Sequence, residues 1–450
     1  MTTTAATKTF RDHLRAHLVL GLPLIASHMA QMAIGLTDTV MLGWYDVTAL
    51  ASLVLASSFY IVLFLFGSGF AFAVMPLVSA AAEQGDETRI RRVTRMGLWV
   101  SAGFALAILP ALWFSAPLLR AMGQEPALAA GAQEYLRIMG WGIIPALAVM
   151  VLKSYLSALE RTRMQLFVVI AAALANAGVN WVLIFGNLGA PELGIRGAAI
   201  ASLAVQVISV AALALYAVRT FPAHALLQRL WRPDRGAFGE VATMGFHIGL
   251  TVLAEIGLFS LSSLLVGLFG TAALAAHGIA LQLSSISFMV PLGLANAATV
   301  RSGRAFGRGD SGTLRLGARA ALTLGLGWAV LAVAVFLAIP DLLIGAYIAP
   351  DEPLRAEILA IGSQLLFMAA LFQLVDATQV IAAALLRGMH DTRVPMLIAA
   401  ASYWLIGAPA AWVFGFPLGL GAQGVWLGLV LGLATAAVLL TIRFNRRTLV

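Results

Sequence analysis

Along the chain, apolar residues recur in blocks of about twenty, each bounded by Arg or by a Gly, Pro or Asp turn. About twenty such residues cross one bilayer as a helix. Twelve spans are predicted, at 18–42, 54–79, 96–119, 136–158, 165–186, 197–218, 238–268, 274–299, 316–339, 358–386, 395–415 and 424–442. The pattern specifies an all-α polytopic membrane protein of twelve transmembrane helices. Composition agrees: 61% of the 450 residues are hydrophobic and 11% charged, against about 25% charged in soluble domains, which excludes a soluble enzyme. There is no cysteine, so disulfides, thiolate metal sites and cysteine nucleophiles are excluded, and iron–sulfur clusters lack their usual ligand.

The net charge of +8 changes meaning once the basic residues are sorted by side, because successive loops alternate across the membrane. Twenty-four of the 28 fall on one side: Lys8, Arg11 and Arg15 before the first span, then clusters such as Arg89, Arg91, Arg92 and Arg95, or Arg301, Arg304, Arg308, Arg315 and Arg319. Only Arg120, Arg137, Arg196 and Arg355 fall on the other. Such asymmetry in short loops places both termini in the cytoplasm of a bacterial inner membrane protein, and nucleic-acid binding loses its support. The first apolar run continues through Gln31 and Asp38 without a small-residue cleavage site, so it reads as an uncleaved helix.

The chain also repeats itself. A shift of 224 residues lays Gly43, Ala49, Leu50 and Ala51 on Gly267, Ala273, Leu274 and Ala275, and Gly85, Asp86, Arg91 and Arg95 on Gly309, Asp310, Arg315 and Arg319. Thr162 and Arg163 match Thr392 and Arg393 at a shift of 230. Two homologous halves of six helices follow: an N-lobe (1–218), a connector (219–239) and a C-lobe (240–450). Six being even, the repeat is parallel, with a pseudo-two-fold along the membrane normal, and transporters so built bind substrate between the halves. The connector alternates Leu226, Leu227, Leu230 and Trp231 with Arg229, Arg232 and Arg235, as an interfacial amphipathic helix would.

Of the twenty acidic residues, Asp38, Glu255 and Asp376 lie inside apolar runs. A centrally placed ionised carboxylate costs roughly 2.5–3.5 kcal/mol, so three cost roughly 8–10, and such residues default to functional candidates. The bland alternative is a neutral carboxyl bonded to a neighbour such as Thr37, Thr39, Thr378 or Gln379. A carboxyl in a low-dielectric cavity takes a proton near neutral pH and releases it when the cavity rehydrates or a cation arrives. One charge moved down 100 mV supplies about 2.3 kcal/mol, enough for roughly a forty-fold solute gradient. His28 and His247 also sit in spans, with no ligand spacing around them. Gly67-Ser68-Gly69 is a close-packing surface by context. No HExxH or glycine-loop-lysine motif is present, so a zinc protease or an ATP-driven pump lacks support. Pro23, within the first span, frees a carbonyl and acts either as a passive kink or as a hinge.

Several stretches resemble one family. Leu22-Pro23-Leu24-Ile25-Ala26-Ser27 through Gly35-Leu36-Thr37-Asp38-Thr39, Asn176-Ala177-Gly178-Val179-Asn180-Trp181, Leu253-Ala254-Glu255-Ile256-Gly257 and Phe372-Gln373-Leu374-Val375-Asp376 are similar to the multidrug and toxic compound extrusion (MATE) transporters of the bacterial NorM type. The resemblance covers about residues 15–445. It implies two six-helix lobes, a protonation site at Asp38 supported by Asn176, Asn180 and Ser202, and a site for the coupling cation at Glu255 and Asp376, possible sodium ligands. Departures are Phe372 where some relatives have Tyr, which keeps a ring for cation–π contact, Gln282 in place of an expected Asn after His277, and Asn180 in place of a second acid.

The expected function is secondary active efflux of amphipathic organic cations against H+ or Na+ by alternating access, without an enzymatic reaction or a bound cofactor, by a monomer in the lipid bilayer. The alternative is a lipid-linked saccharide flippase of the same superfamily, which would place Arg or Lys in the central cavity. A major-facilitator transporter would need a long central loop and a Gly-x-x-x-Asp-Arg-x-Gly-Arg turn, neither of which is evident.

Overall fold

The computed structural model describes residues 9–449, so Lys8 lies outside the described residues. Twelve helices among them are long and apolar enough to cross a membrane, labelled α1 to α12 in chain order: Phe10–Tyr45, Thr48–Glu83, Glu87–Trp113, Pro126–Ala158, Thr162–Phe185, Ile195–Thr220, Arg235–Gly267, Thr271–Gly307, Ser311–Ala338, Arg355–Gly388, Arg393–Gly415 and Gly421–Leu449. No strand occurs among the described residues. Each helix begins ahead of its apolar block, because caps rather than hydropathy set the starts. Asp46 accepts the Ala49 N–H at 2.7 Å, Asp86 that of Arg89 at 2.8 Å and Asp310 that of Thr313 at 2.9 Å, each satisfying an otherwise orphan donor of a first turn.

Two boundaries depart from expectation. The third span, predicted to run from 96 to 119, ends at Trp113 and is followed by a short helix at Ser115–Ala121. The ladder runs through Pro110 to the Phe114 N–H, which bonds the Pro110 carbonyl, and stops there because Phe114 leaves the helical region with φ −107° and ψ 42°. The connector is not the amphipathic helix its spacing suggests. After α6 the chain makes a 3₁₀ turn at Pro222–His224 and then further turns until α7 begins at Arg235. Pro222 and Pro233 bracket the segment, and Ala225 and Arg229 take positive φ of 45° and 53°, which no α-helix accommodates.

The packing divides the chain into two compact units: residues 26–249 form one, and α1 up to Ile25 together with the chain from Leu250 onward forms the other. The boundaries thus fall inside α1 and α7 rather than in the connector. Small residues allow the tight crossings. A Cβ on Gly69 of α2 would come within 2.5 Å of the Gly245 carbonyl of α7, and one on Gly293 of α8 within 2.8 Å of the Ile25 nitrogen of α1. This is backbone-to-backbone approach of the kind that replaces hydrophobic driving force in lipid, and Gly69 lies in the glycine-serine-glycine surface read from the sequence. The repeat is visible in detail: Gly85 and Gly309, at equivalent turns, take φ of +70° and +67° ahead of the matching caps Asp86 and Asp310.

Candidate functional site

In the unit of residues 26–249, Asp38 of α1 is 7% exposed and meets side chains from α5 and α6. Asn180 donates its amide N–H to Asp38 Oδ1 at 2.6 Å, and Ser202 donates its hydroxyl to Oδ2 at 3.0 Å. Asn176, one turn before Asn180 and therefore on the same face, accepts from Asn180 at 3.2 Å and donates to Ser202 at 3.4 Å. The four residues form a ring in which both carboxylate oxygens have donors, and all four are buried. Tyr135 of α4 lies within electrostatic reach of Asp38 and is 5% exposed. The sequence did not single it out, since one tyrosine in an apolar run looks like packing.

The threonines beside Asp38 do not bond it. Thr37 and Thr39 donate to the carbonyls of Ala33 and Gly35, one turn back along their own helix. Thr378 likewise donates to the Leu374 carbonyl, so the local pairing offered as the bland reading is not made by these threonines.

Glu255 of α7 and Asp376 of α10 meet in the other unit, where both line a cavity of about 330 Å³ with Phe259, Phe288 and Phe372. The two carboxyls are close enough to interact electrostatically. No Lys or Arg is among the residues lining the cavity. Its remaining polar lining consists of hydroxyls: Ser260 and Ser263 on α7, Ser284 and Ser285 on α8. Asp376 is 3% exposed, and its Oδ1 is buried without a hydrogen-bond donor. A buried acceptor without a partner is costly, so this oxygen is suited to a proton or a cation arriving from the cavity. The register of α10 is held by Gln373, one turn before Asp376: it accepts from Ser287 at 3.1 Å and donates to the Ser284 carbonyl at 3.3 Å.

The Phe372 ring lines the cavity, edge-on to Phe259 at 5.8 Å and to Trp426 at 5.9 Å. Gln282 is exposed and is not among the lining residues; the neighbouring turn of α8 presents Ser284 and Ser285 instead. His277 is structural by its contacts: it accepts from Trp426 Nε1 at 3.0 Å, which leaves Nε2 as the protonated nitrogen, 3.0 Å from Ser263 Oγ. A further element escaped the sequence reading. Helix α11 contains a π-helical segment, Ser402–Gly407, which aims the Trp404 indole at the Ala254 carbonyl, 3.2 Å away and next to Glu255. The ring packs so closely on Gly257 that a Cβ there would lie 2.6 Å from it. Such π segments recur at functional sites.

The MatE family model matches this chain twice, over residues 23–182 and 248–413. The chain belongs to the MatE family. The two matches start 225 residues apart and end 231 apart, close to the shifts of 224 and 230 at which the sequence aligns with itself. This MatE protein is 48% identical to the "Probable multidrug resistance protein NorM" of Rhizobium meliloti (strain 1021), over 96% of this chain and 93% of that protein. It is 44% identical to the protein of the same name from Agrobacterium fabrum (strain C58), over 96% and 94%. Its fold matches that of the eukaryotic MATE transporter AtDTX14 with a TM-score of 0.85 at 18% identity, over 98% of both chains.

Proposed function

We propose that this MatE protein is a secondary active exporter of amphipathic organic cations, exchanging them for H+ or Na+ by alternating access. The observation that carries the reading is the membrane-embedded cavity in which Glu255 and Asp376 stand among phenylalanine rings without a basic residue in the lining. Aromatic walls hold the apolar body of a drug and a carboxylate neutralises its charge; a proton or sodium ion taken up by the same carboxyl lowers that attraction and releases the drug. The names of the NorM relatives support the multidrug substrate class. Asp38, buffered by Asn180 and Ser202, serves as the second coupling site. The flippase alternative calls for cationic groups to hold a pyrophosphate, and the cavity lining is acidic instead.

Alternating access requires a flexible point in the helices that both units share. Pro23 lies two residues before the place where α1 passes from one compact unit to the other, and having no N–H it leaves the Val19 carbonyl without its helical partner. We assign it the hinge role. The protein works as a monomer in the bacterial inner membrane, with its basic loops and both termini in the cytoplasm.

The test is drug efflux from proteoliposomes under separately imposed pH and sodium gradients. Asp38→Asn and Glu255→Gln are expected to lose gradient-driven efflux. Full transport by both variants under both gradients sinks the mechanism.

A further inference from the structure

A second cavity, of about 460 Å³, opens on the face that carries the basic loops. It lies within the unit of residues 26–249, between the start of α3 and the turns that precede α7. Five arginines line it, Arg91, Arg92 and Arg95 from α3 with Arg229 and Arg232 from the turns, against one acid, Asp234. Asp234 is already engaged: it lies 3.4 Å from Arg92 Nε and accepts the Ala237 N–H at 3.0 Å as the cap of α7. Arg91, Arg229 and Arg232 make no ion pair with any described residue.

Arg95 shows that the cavity is built rather than merely basic. Its side chain is 6% exposed. One guanidinium nitrogen donates to the Arg229 carbonyl at 2.9 Å, which the positive φ of Arg229, 53°, turns toward it. Its Nε is buried and has no acceptor. A buried guanidinium donor without an acceptor is a marked cost, and an anionic oxygen in the cavity removes it. In the other half of the repeat the counterpart of Arg91, Arg315, is already taken up by the chain: it donates from Nε at 3.1 Å and from a second nitrogen to the Thr448 carbonyl.

The rim of the cavity identifies the ligand's surroundings. Trp99, one turn beyond Arg95 and 44% exposed, donates from its indole to the Leu230 carbonyl at 2.7 Å. Trp231 and Leu227 on the same turns are exposed at 75% and 51%. Trp99 lies three residues inside the start of the apolar block of α3, at 96, and Trp231 on the turns beside it; exposed tryptophans where an apolar block begins mark the headgroup level, and pockets of basic residues at that level hold phosphate-bearing lipid headgroups. We infer that the arginine-lined cavity binds the phosphate of an anionic phospholipid headgroup, with the acyl chains lying along Trp99, Leu227 and Trp231.

Native mass spectrometry of the purified full chain in detergent, titrated with phosphatidylglycerol, phosphatidylcholine or inorganic phosphate, tests the assignment. One phosphatidylglycerol is expected to be retained in preference to phosphatidylcholine, and the double variant Arg91→Gln/Arg232→Gln to bind it roughly thirty-fold more weakly, two basic residues at about 1 kcal/mol each. The control Arg163→Gln/Arg219→Gln removes the same charge from exposed positions elsewhere and keeps the parent affinity. The single variant Arg232→Gln, at an exposed turn position, covers the case of a misfolded double and is expected to lose roughly five-fold. Retention of inorganic phosphate as strong as that of phosphatidylglycerol overturns the lipid assignment. Equal losses in the cavity and control variants overturn the site.

Discussion

The two halves of this MatE protein carry intramembrane carboxylates in opposite ways. Asp38 is an acceptor whose oxygens are both occupied, one by the Asn180 amide and one by the Ser202 hydroxyl. Asp376 has an oxygen with no donor at all, faces a second carboxylate, and opens on a cavity. The halves share a fold by repetition, yet one satisfies its charge internally and the other leaves room for a charge to arrive. Descent from a common repeat therefore conserves the frame while the polar content of each lobe is set separately, by a few residues that face inward.

The strongest test of that contrast is functional. Exchanging Glu255 and Asp376 together for Gln and Asn removes both charges of the cavity, and gradient-driven export of a cationic dye from proteoliposomes is expected to fall about thirty-fold or more. That corresponds to about 2 kcal/mol, the lower end for loss of one desolvated charge pair. A double variant that still exports at the parent rate would show that the C-half cavity is not where cation and drug compete.

The next effect is on stability, and there the order reverses. Asp38→Leu leaves the Asn180 N–H and the Ser202 hydroxyl buried without acceptors, which costs about 2 kcal/mol. Asp376→Leu removes a buried oxygen that had no donor, so thermal unfolding of the detergent-solubilised chain is expected to stay at the parent value or to rise, by up to about 2 kcal/mol. Asp38→Asn, which keeps an acceptor oxygen of the same shape, stays near the parent. Equal destabilisation by the two leucine exchanges would erase the distinction between an occupied and an open carboxylate.

How much of this was legible in the sequence follows from the physics of each element. The helices were, because a helix that crosses a bilayer needs a long, predominantly apolar block. Their ends were not: α3 begins at Glu87 and α4 at Pro126, each about ten residues ahead of the apolar block, where a cap or a proline starts a helix that hydropathy does not register. The connector misled because Leu226, Leu227, Leu230 and Trp231 have helical spacing, while two prolines and two residues of positive φ overrule it. Asp38, Glu255 and Asp376 stood out by cost alone, but their company did not. Asn176, Asn180 and Ser202 came through the family resemblance, and Tyr135 and Trp404 came from neither, since an aromatic residue in an apolar run reads the same whether it faces lipid, core or site. The π segment that aims Trp404 at Ala254 leaves no signature in composition.

The smallest predicted effect concerns the part of the comparison in which the halves should not differ. Asp86 and Asp310 cap α3 and α9 with nearly equal geometry, 2.8 and 2.9 Å to the N–H three residues on, so alanine at either position is expected to cost about 1 kcal/mol. For Asp310 the cost depends on pH. Hydrogen bonds from the Thr313 hydroxyl and backbone N–H hold its carboxyl below the usual carboxylate range, so the folded state prefers the ionised form. That contribution is fully present above the ordinary value of about 4 and fades as pH falls through the lowered folded value. The gap in unfolding midpoint between the parent and Asp310→Ala should therefore narrow between pH 7 and pH 3. Asp310→Asn, which caps without titrating, should show no such narrowing relative to Asp310→Ala. A gap to the alanine variant that is unchanged at pH 3 would mean that the carboxylate is not what holds that turn, and that the repeated Gly-Asp signature is kept for its backbone alone.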